Sequence, residues 1–321
     1  MKVNLEPRPA LAVSLNSAWQ KTLSFNSLKL GTVNRAFESH ETGGGKGTNV
    51  ARVFRLMGWP VSVSAFVGGF PGENLRHDFE RTGVHPLLVD CKGVTRCVYT
   101  VIDHDRGEAT ELIEPSAPIS ADELERMRSL LTKEVPLHGV VVLCGSLPPG
   151  VTLSFYAEIA AMASKCGLPV VLDAAKDIGC VLEEGVTLLK INAEELSQAA
   201  DGETDVVKAG KALLTCFKGL SWLAVTDGGN PAHLMSKNGV WRFKTPLLEK
   251  IVSPIGGGDC ATAIMARRLA EDPQADDILM PGYFAEALAC ASASCLTDTP
   301  SVFEPSTAQD ILRRTAIERL I

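Results

Sequence analysis

The sequence has no cysteine pair at C-x-x-C spacing, no long run of one charge sign, no apolar run of membrane-spanning length and no internal repeat. Each absence removes a class of protein. The nine cysteines (91, 97, 144, 166, 180, 216, 260, 290 and 295) are odd in number and scattered, which argues for a reducing compartment and against a zinc site. Lys and Arg total 31 against 38 Asp and Glu, a formal charge of −7, so sequence-independent binding to nucleic acid or an anionic membrane is disfavoured. No segment approaches the roughly 20 apolar residues that span a bilayer. The N-terminus lacks an apolar stretch of signal-peptide length, since Asn16, Ser17 and Gln20 soon interrupt its one apolar run. The expectation is a cytoplasmic protein whose partners are small molecules.

What is present is an α/β alternation. With 321 residues, 45% of them hydrophobic, the chain can bury a sizeable core in one large domain or two smaller ones. Buried strands are expected at 10–15, 61–67, 140–143, 169–172, 186–191 and 222–225, and a hairpin at 232–236 and 239–243. Helices are expected at 50–57, 73–81, 120–134, 205–217, 259–269, 281–296 and 306–318. This alternation predicts a doubly wound, mostly parallel sheet with helices on both faces. The stretches 19–41 and 94–112 alternate polar with apolar residues and predict a small sheet with one open face.

Four stretches could carry chemistry, and in an open parallel sheet ligands collect at the carboxyl ends of strands. The first is Ser253 to Met265, where Gly256, Gly257 and Gly258 lead into Asp259 and a helix. Uncovered N–H groups and the positive end of the helix dipole make an anion site there. Asp259 is then either a helix cap or a carboxylate beside a bound phosphate, placed to take a proton. The same run fits G-x-G-x-x-[GA], but Glu249, Lys250 and Pro254 spoil the preceding strand and another helix follows, so the dinucleotide reading fails. The second stretch, Gly43 to Asn49, is not a Walker A loop. Its glycines either admit a polar ligand flanked by Lys46 and Asn49, or simply form a turn and cap. In the third, Lys190 to Glu195, the N-x-x-E spacing suits a hard cation, or the capping box that such spacing more commonly forms. The fourth is Thr95-Arg96, which either reaches an anionic substrate or is only solvated; Arg35 carries the same two readings.

Together these residues resemble the PfkB-type, ribokinase-like carbohydrate kinases. The early Gly44-Gly45-Lys46-Gly47-x-Asn49, the late Gly256-x-Gly258-Asp259 and the intervening Asn192-x-x-Glu195 occur in that family's order. Leu15 to Ala18, Leu30 to Arg35, Thr95-Arg96, Cys144 to Gly150 and Lys190 to Leu196 bring the chain closest to the branch holding 1-phosphofructokinase and tagatose-6-phosphate kinase. The resemblance implies a ribokinase-like α/β core over 1–16, 43–93 and 115–321, with a β-sheet lid over 17–42 and 94–114. It implies transfer of the γ-phosphate of ATP to a hydroxyl of a hexose phosphate, with magnesium. Asp259 would be the general base, with Gly256, Gly257 and Gly258 as the anion hole. Asn16, Gln20, Gly44, Gly45, Lys46 and Asn49 would face the sugar, and Arg96 and Arg35 a phosphate already on it. Lys190, Thr226 and Gly228 would bind the nucleotide, and Asn192 and Glu195 the metal. A homodimer through the lid is also implied.

The chain departs from that pattern in places. Gln20 stands where the branch commonly has an aspartate that binds sugar hydroxyls, and Pro231 stands where a nucleotide-loop glycine is usual. These departures leave two alternatives: a kinase of an unphosphorylated sugar or nucleoside, and a non-catalytic sugar- or nucleotide-binding sensor.

Overall fold

A computed structural model describes residues 7–321. The start of the expected core segment, residues 1–6, lies outside the described residues. In chain order the strands are Ala10–Val13 (β1), Ala18–Phe25 (β2), Glu38–Gly44 (β3), Val61–Val67 (β4), His85–Asp90 (β5), Cys97–Asp103 (β6), Glu108–Ile113 (β7), Val140–Cys144 (β8), Val170–Asp173 (β9), Leu188–Asn192 (β10), Trp222–Thr226 (β11), Ala232–Met235 (β12), Val240–Lys244 (β13) and Ala316–Arg319 (β14). The helices are Lys46–Leu56 (α1), Gly69–Thr82 (α2), Ala121–Glu134 (α3), Leu153–Lys165 (α4), Gly179–Leu182 (α5), Ala193–Ala199 (α6), Val206–Cys216 (α7), Gly257–Glu271 (α8), Met280–Ser294 (α9) and Pro305–Arg314 (α10).

Successive side chains of β1 enter different hydrophobic clusters. Ala10 and Ala12 pack on one face of the sheet with Val50 and Phe54 of α1, while Leu11 and Val13 pack on the other with Tyr156 and Ile159 of α4. β8 divides likewise, Val140 and Val142 on one side, Val141 and Leu143 on the other. Strands covered on both faces read as unbroken apolar runs, which is why they lie in the parallel part of a sheet. The large sheet runs β14-β13-β12-β11-β10-β9-β8-β1-β4-β5 and is parallel from β5 to β11. The architecture is the expected doubly wound α/β fold. From β1 the chain builds outward through β4 and β5, then returns to β8 and builds the other way. The crevice at this reversal, beyond the carboxyl ends of β1 and β8, is where such sheets bind ligands.

A separate four-stranded sheet, β3-β2-β6-β7, covers that crevice. Alternate residues of β2 are buried, but they include Gln20, Thr22 and Ser24, so the inward face of this small sheet is polar.

Several boundaries differ from the sequence expectation, three of them with a clear physical cause or consequence. α10 stops at Arg314, and residues 316–319 form β14 instead of continuing the helix to 318. The cause is the open edge of β13, whose backbone groups β14 pairs antiparallel, aided by the Arg242–Glu318 ion pair and by Arg319 over the Trp241 ring. α2 begins at Gly69, so Gly68-Gly69 is a helix start rather than a free loop. α8 begins at Gly257, two residues before Asp259, with consequences for the site.

Candidate active site

Gly256 is the N-cap of α8 and adopts φ +83°. A Cβ there would lie 2.6 Å from Ser301 Oγ and 2.8 Å from Ser301 N, so both the conformation and the space require glycine. No side chain caps this helix. The first-turn N–H groups have no intrahelical acceptor and point into the cleft with the positive end of the dipole.

Asp259 is therefore not the cap. It is the third residue of α8, inside the first turn, and its Oδ2 accepts a hydrogen bond from Asn49 Nδ2 at 2.8 Å. The capping reading fails because the left-handed Gly256 starts the helix early, which turns the carboxylate across the cleft towards α1.

Beneath Asp259 lies a second carboxylate that the sequence reading did not single out. Asp173, at the carboxyl end of β9, is fully buried. Its Oδ1 is 2.7 Å from Lys46 Nζ; its Oδ2 accepts from Thr262 Oγ1 at 2.6 Å and lies 3.5 Å from Lys190 Nζ. Burial would raise the Asp173 pKa, but Lys190 and Lys46 hold it below the usual carboxylate range. Burial also raises Asp259, and the charge of Asp173 raises it further; Lys46, Asn49 and Lys190 restrain it to about 6. Burial would lower Lys46, yet Asp173 and Asp259 keep its pKa above the ordinary lysine value. The available signal for Asp173 was its place as an acid ending the apolar run Val170-Val171-Leu172.

A cleft of about 660 Å³ gathers most of the expected residues: Gln20 and Arg96 from the lid, and Asn16, Gly45, Lys46, Asn49, Lys190, Asn192, Glu195, Thr226, Gly256, Gly258 and Asp259 from the core. Gly44 ends β3 just outside this lining, where a Cβ would lie 2.7 Å from Gln20 Oε1. Gln20 Nε2 donates to Thr100 Oγ1 at 3.0 Å. Arg96 Nη2 donates to the Asn16 carbonyl at 2.9 Å, and its Nε is buried without a partner. Glu111 of β7, also missed in the sequence, lines the same cleft; burial raises its pKa and Arg96 counters that. Arg35 is elsewhere, exposed on the loop between β2 and β3 and outside the cleft lining.

Asn192 and Glu195 form the capping box of α6: Asn192 N donates to Glu195 Oε2 at 2.9 Å, and Glu195 N to Asn192 Oδ1 at 2.7 Å. That cap engages only one Glu195 carboxylate oxygen, and both residues still face the cleft. A second cavity, about 300 Å³, adjoins the first through Thr226, Pro254 and Gly258, and is lined further on by Gly228, Gly257 and Leu288.

The model of the pfkB family of carbohydrate kinases matches residues 14–305. The chain belongs to this family. It is 31% identical over 278 residues to a tagatose-6-phosphate kinase from Staphylococcus epidermidis, covering 84% of this chain and 88% of that protein. Among solved structures, this pfkB kinase is similar in fold to phosphofructokinase-2 from Escherichia coli in complex with potassium, at TM-score 0.84 and 24% identity over 96% of this chain and 98% of the other. It is also similar to a possible 1-phosphofructokinase from Thermotoga maritima, at TM-score 0.85 and 21% identity over 97% and 99%. As a pfkB kinase the protein is a phosphotransferase acting on a sugar hydroxyl, with ATP as phosphoryl donor. None of its described helices is long and apolar enough to cross a membrane.

Proposed function

We propose that this pfkB kinase phosphorylates a hexose phosphate of the fructose 1-phosphate, fructose 6-phosphate or tagatose 6-phosphate type, with Asp259 as general base. The observation that carries the proposal is the Asp259 carboxylate itself. It is buried, raised to about 6, and set beside the free N–H groups that begin α8. At neutral pH such a group is mostly ionised yet more basic than an ordinary carboxylate, which suits it to take a hydroxyl proton. The sugar oxygen gives that proton to Asp259 and bonds to the γ-phosphorus as the bond from phosphorus to the ADP oxygen breaks. Charge on the transferring group meets the N–H groups of residues 256–259 and the Lys190 ammonium, whose Nζ lies 2.7 Å from where a Gly258 Cβ would stand.

The second cavity, entered past the same helix end, fits the nucleotide, with Thr226 and Gly228 at its mouth. Oxygen donors at Asn192 and Glu195 fit magnesium, held directly or through water, and the cation would offset the charge of the ATP phosphates there. Phosphate on the sugar is assigned to Arg96, because Lys46 is already paired with Asp173. The similarity to a tagatose-6-phosphate kinase supports that choice. Exposed Leu112, on the face of the outer lid strand opposite the cleft-lining Glu111 and Ile113, supports a homodimer through the lid.

A coupled ADP-release assay over a panel of hexoses and hexose phosphates tests the function. Turnover confined to phosphorylated hexoses is expected; ligand binding without turnover on any sugar would remove the kinase reading. One observation favours the second reading, an unphosphorylated sugar: Glu111 places a carboxylate in the cleft near Arg96. Turnover on a free sugar at least equal to that on its phosphate would select it.

A further inference from the structure

Arg52 of α1 faces neither cavity, yet its two terminal nitrogens are fully committed. Nη1 donates to Asn49 Oδ1 at 2.8 Å and to the Pro300 carbonyl at 3.0 Å; Nη2 donates to Thr42 Oγ1 at 2.9 Å and to the Gly43 carbonyl at 2.5 Å. These acceptors belong to three separate pieces of the site. Thr42 and Gly43 end lid strand β3 at the glycine loop. Asn49 is the residue bonded to Asp259. Pro300 precedes Ser301, whose Oγ donates to the carbonyl of Gly256, the N-cap of α8, at 2.8 Å.

We infer that Arg52 is a positioning residue that sets the Asn49 amide for the base and ties the glycine loop to the anion hole. The argument rests on donor inventory. An asparagine amide has an oxygen side and an N–H side, and rotating χ2 exchanges them. Directed at Asp259, the N–H side stabilises the carboxylate, whereas the oxygen side would repel it. A guanidinium has donors only, so contact with Arg52 selects the amide oxygen and leaves Nδ2 to face Asp259 Oδ2. Lysine has no planar fork and cannot reach Asn49, Thr42, Gly43 and Pro300 at once in this geometry. The charged groups around the pair are few: Asp259 faces Asp173, Lys46 and Lys190, and Arg52 faces Asp78, Arg81 and Asp259.

The inference depends on Asp259 being the base, and four variants separate the two claims. Arg52→Lys keeps the charge and loses the fork, so it decides between orientation and charge. It should lower kcat by about 10- to 100-fold, the range for losing an outer orienting partner, with ATP binding little changed and the thermal midpoint lowered by the loss of buried hydrogen bonds. The acid limb of kcat against pH should move upward, because a freely rotating Asn49 amide no longer holds the Asp259 pKa down. Arg52→Met should do the same more strongly. In an Asn49→Ala background Arg52→Lys should cost little more, since its route to Asp259 is gone. Wild-type kcat and acid limb in Arg52→Lys, or full multiplication of its effect with Asn49→Ala, would overturn the inference. Near-wild-type turnover in Asp259→Asn would instead overturn the assignment of the base.

Discussion

Asp173 and Asp259 are buried carboxylates that face the same two lysines, yet their proton affinities are shifted in opposite directions. Asp173 holds Lys46 at 2.7 Å and Lys190 at 3.5 Å and stays ionised, whereas burial and then the charge of Asp173 raise Asp259 by more than the lysines lower it. A pair pushed apart in this way leaves one fixed anion and one group able to exchange a proton near neutrality.

The first consequence concerns pH. The folded-state pKa of Asp259 is raised to about 6 from an ordinary 3.8, so the folded protein binds more protons between those values. Activity should fall as pH drops through about 6, read as the acid limb of kcat. Stability runs the other way: the Asp259 contribution is lost as pH rises from 3.8 to 6, because the ionised form is the disfavoured one. Asp259→Asn should lower turnover by about 10²- to 10⁴-fold. It should also raise the thermal midpoint at pH 7.5, and that gain should vanish at pH 4. A midpoint difference independent of pH would show that Asp259 is not held in an unfavourable ionised state.

Asp173→Asn is expected to destabilise. It leaves Lys190, 5% exposed, and Lys46 without their shared counter-charge, and removal of one partner of a buried pair costs about 3–5 kcal/mol. Denaturant unfolding should show the loss, and Lys190→Met should restore part of it in the double variant. Additive losses would argue against the pairing.

Arg96→Ala separates phosphorylated from free sugars. For a hexose phosphate the Michaelis constant should rise by about 100-fold, as when a charge pair is truncated, with kcat within a few fold. An unchanged Michaelis constant would move the substrate phosphate away from Arg96.

Gly256→Ala should cost about 1–3 kcal/mol from the left-handed backbone alone, and more from the approach of Ser301. Lower kcat together with a lower thermal midpoint is expected. Wild-type kcat in this variant would mean that the start of α8 does not shape the phosphoryl site.

Much of the molecule was legible in one dimension. Local periodicity reports burial directly, so the apolar runs of β1, β4 and β8, the half-exposed lid strands and the order of the glycine motifs were all readable in the chain. Where a boundary depended on a partner distant in sequence, the reading slipped. β14 exists because β13 leaves an edge open, and nothing between residues 306 and 318 announces that edge. Asp259 taken alone was open to a cap or a base; the left-handed turn at Gly256, which starts the helix two residues earlier, excludes the cap. Arg52 read as one more residue of an amphipathic helix, since its four acceptors lie on segments up to 248 residues away.

The sequence by itself thus determined most element types, the α/β class and most of the site's chemical groups, because these follow from short-range pattern. Tertiary structure alone decided which carboxylate stays charged, which is raised towards neutrality and which groups meet the two sides of the Asn49 amide. Those properties are set by distance and burial among residues 49, 52, 173, 190 and 259, and only the fold brings them together.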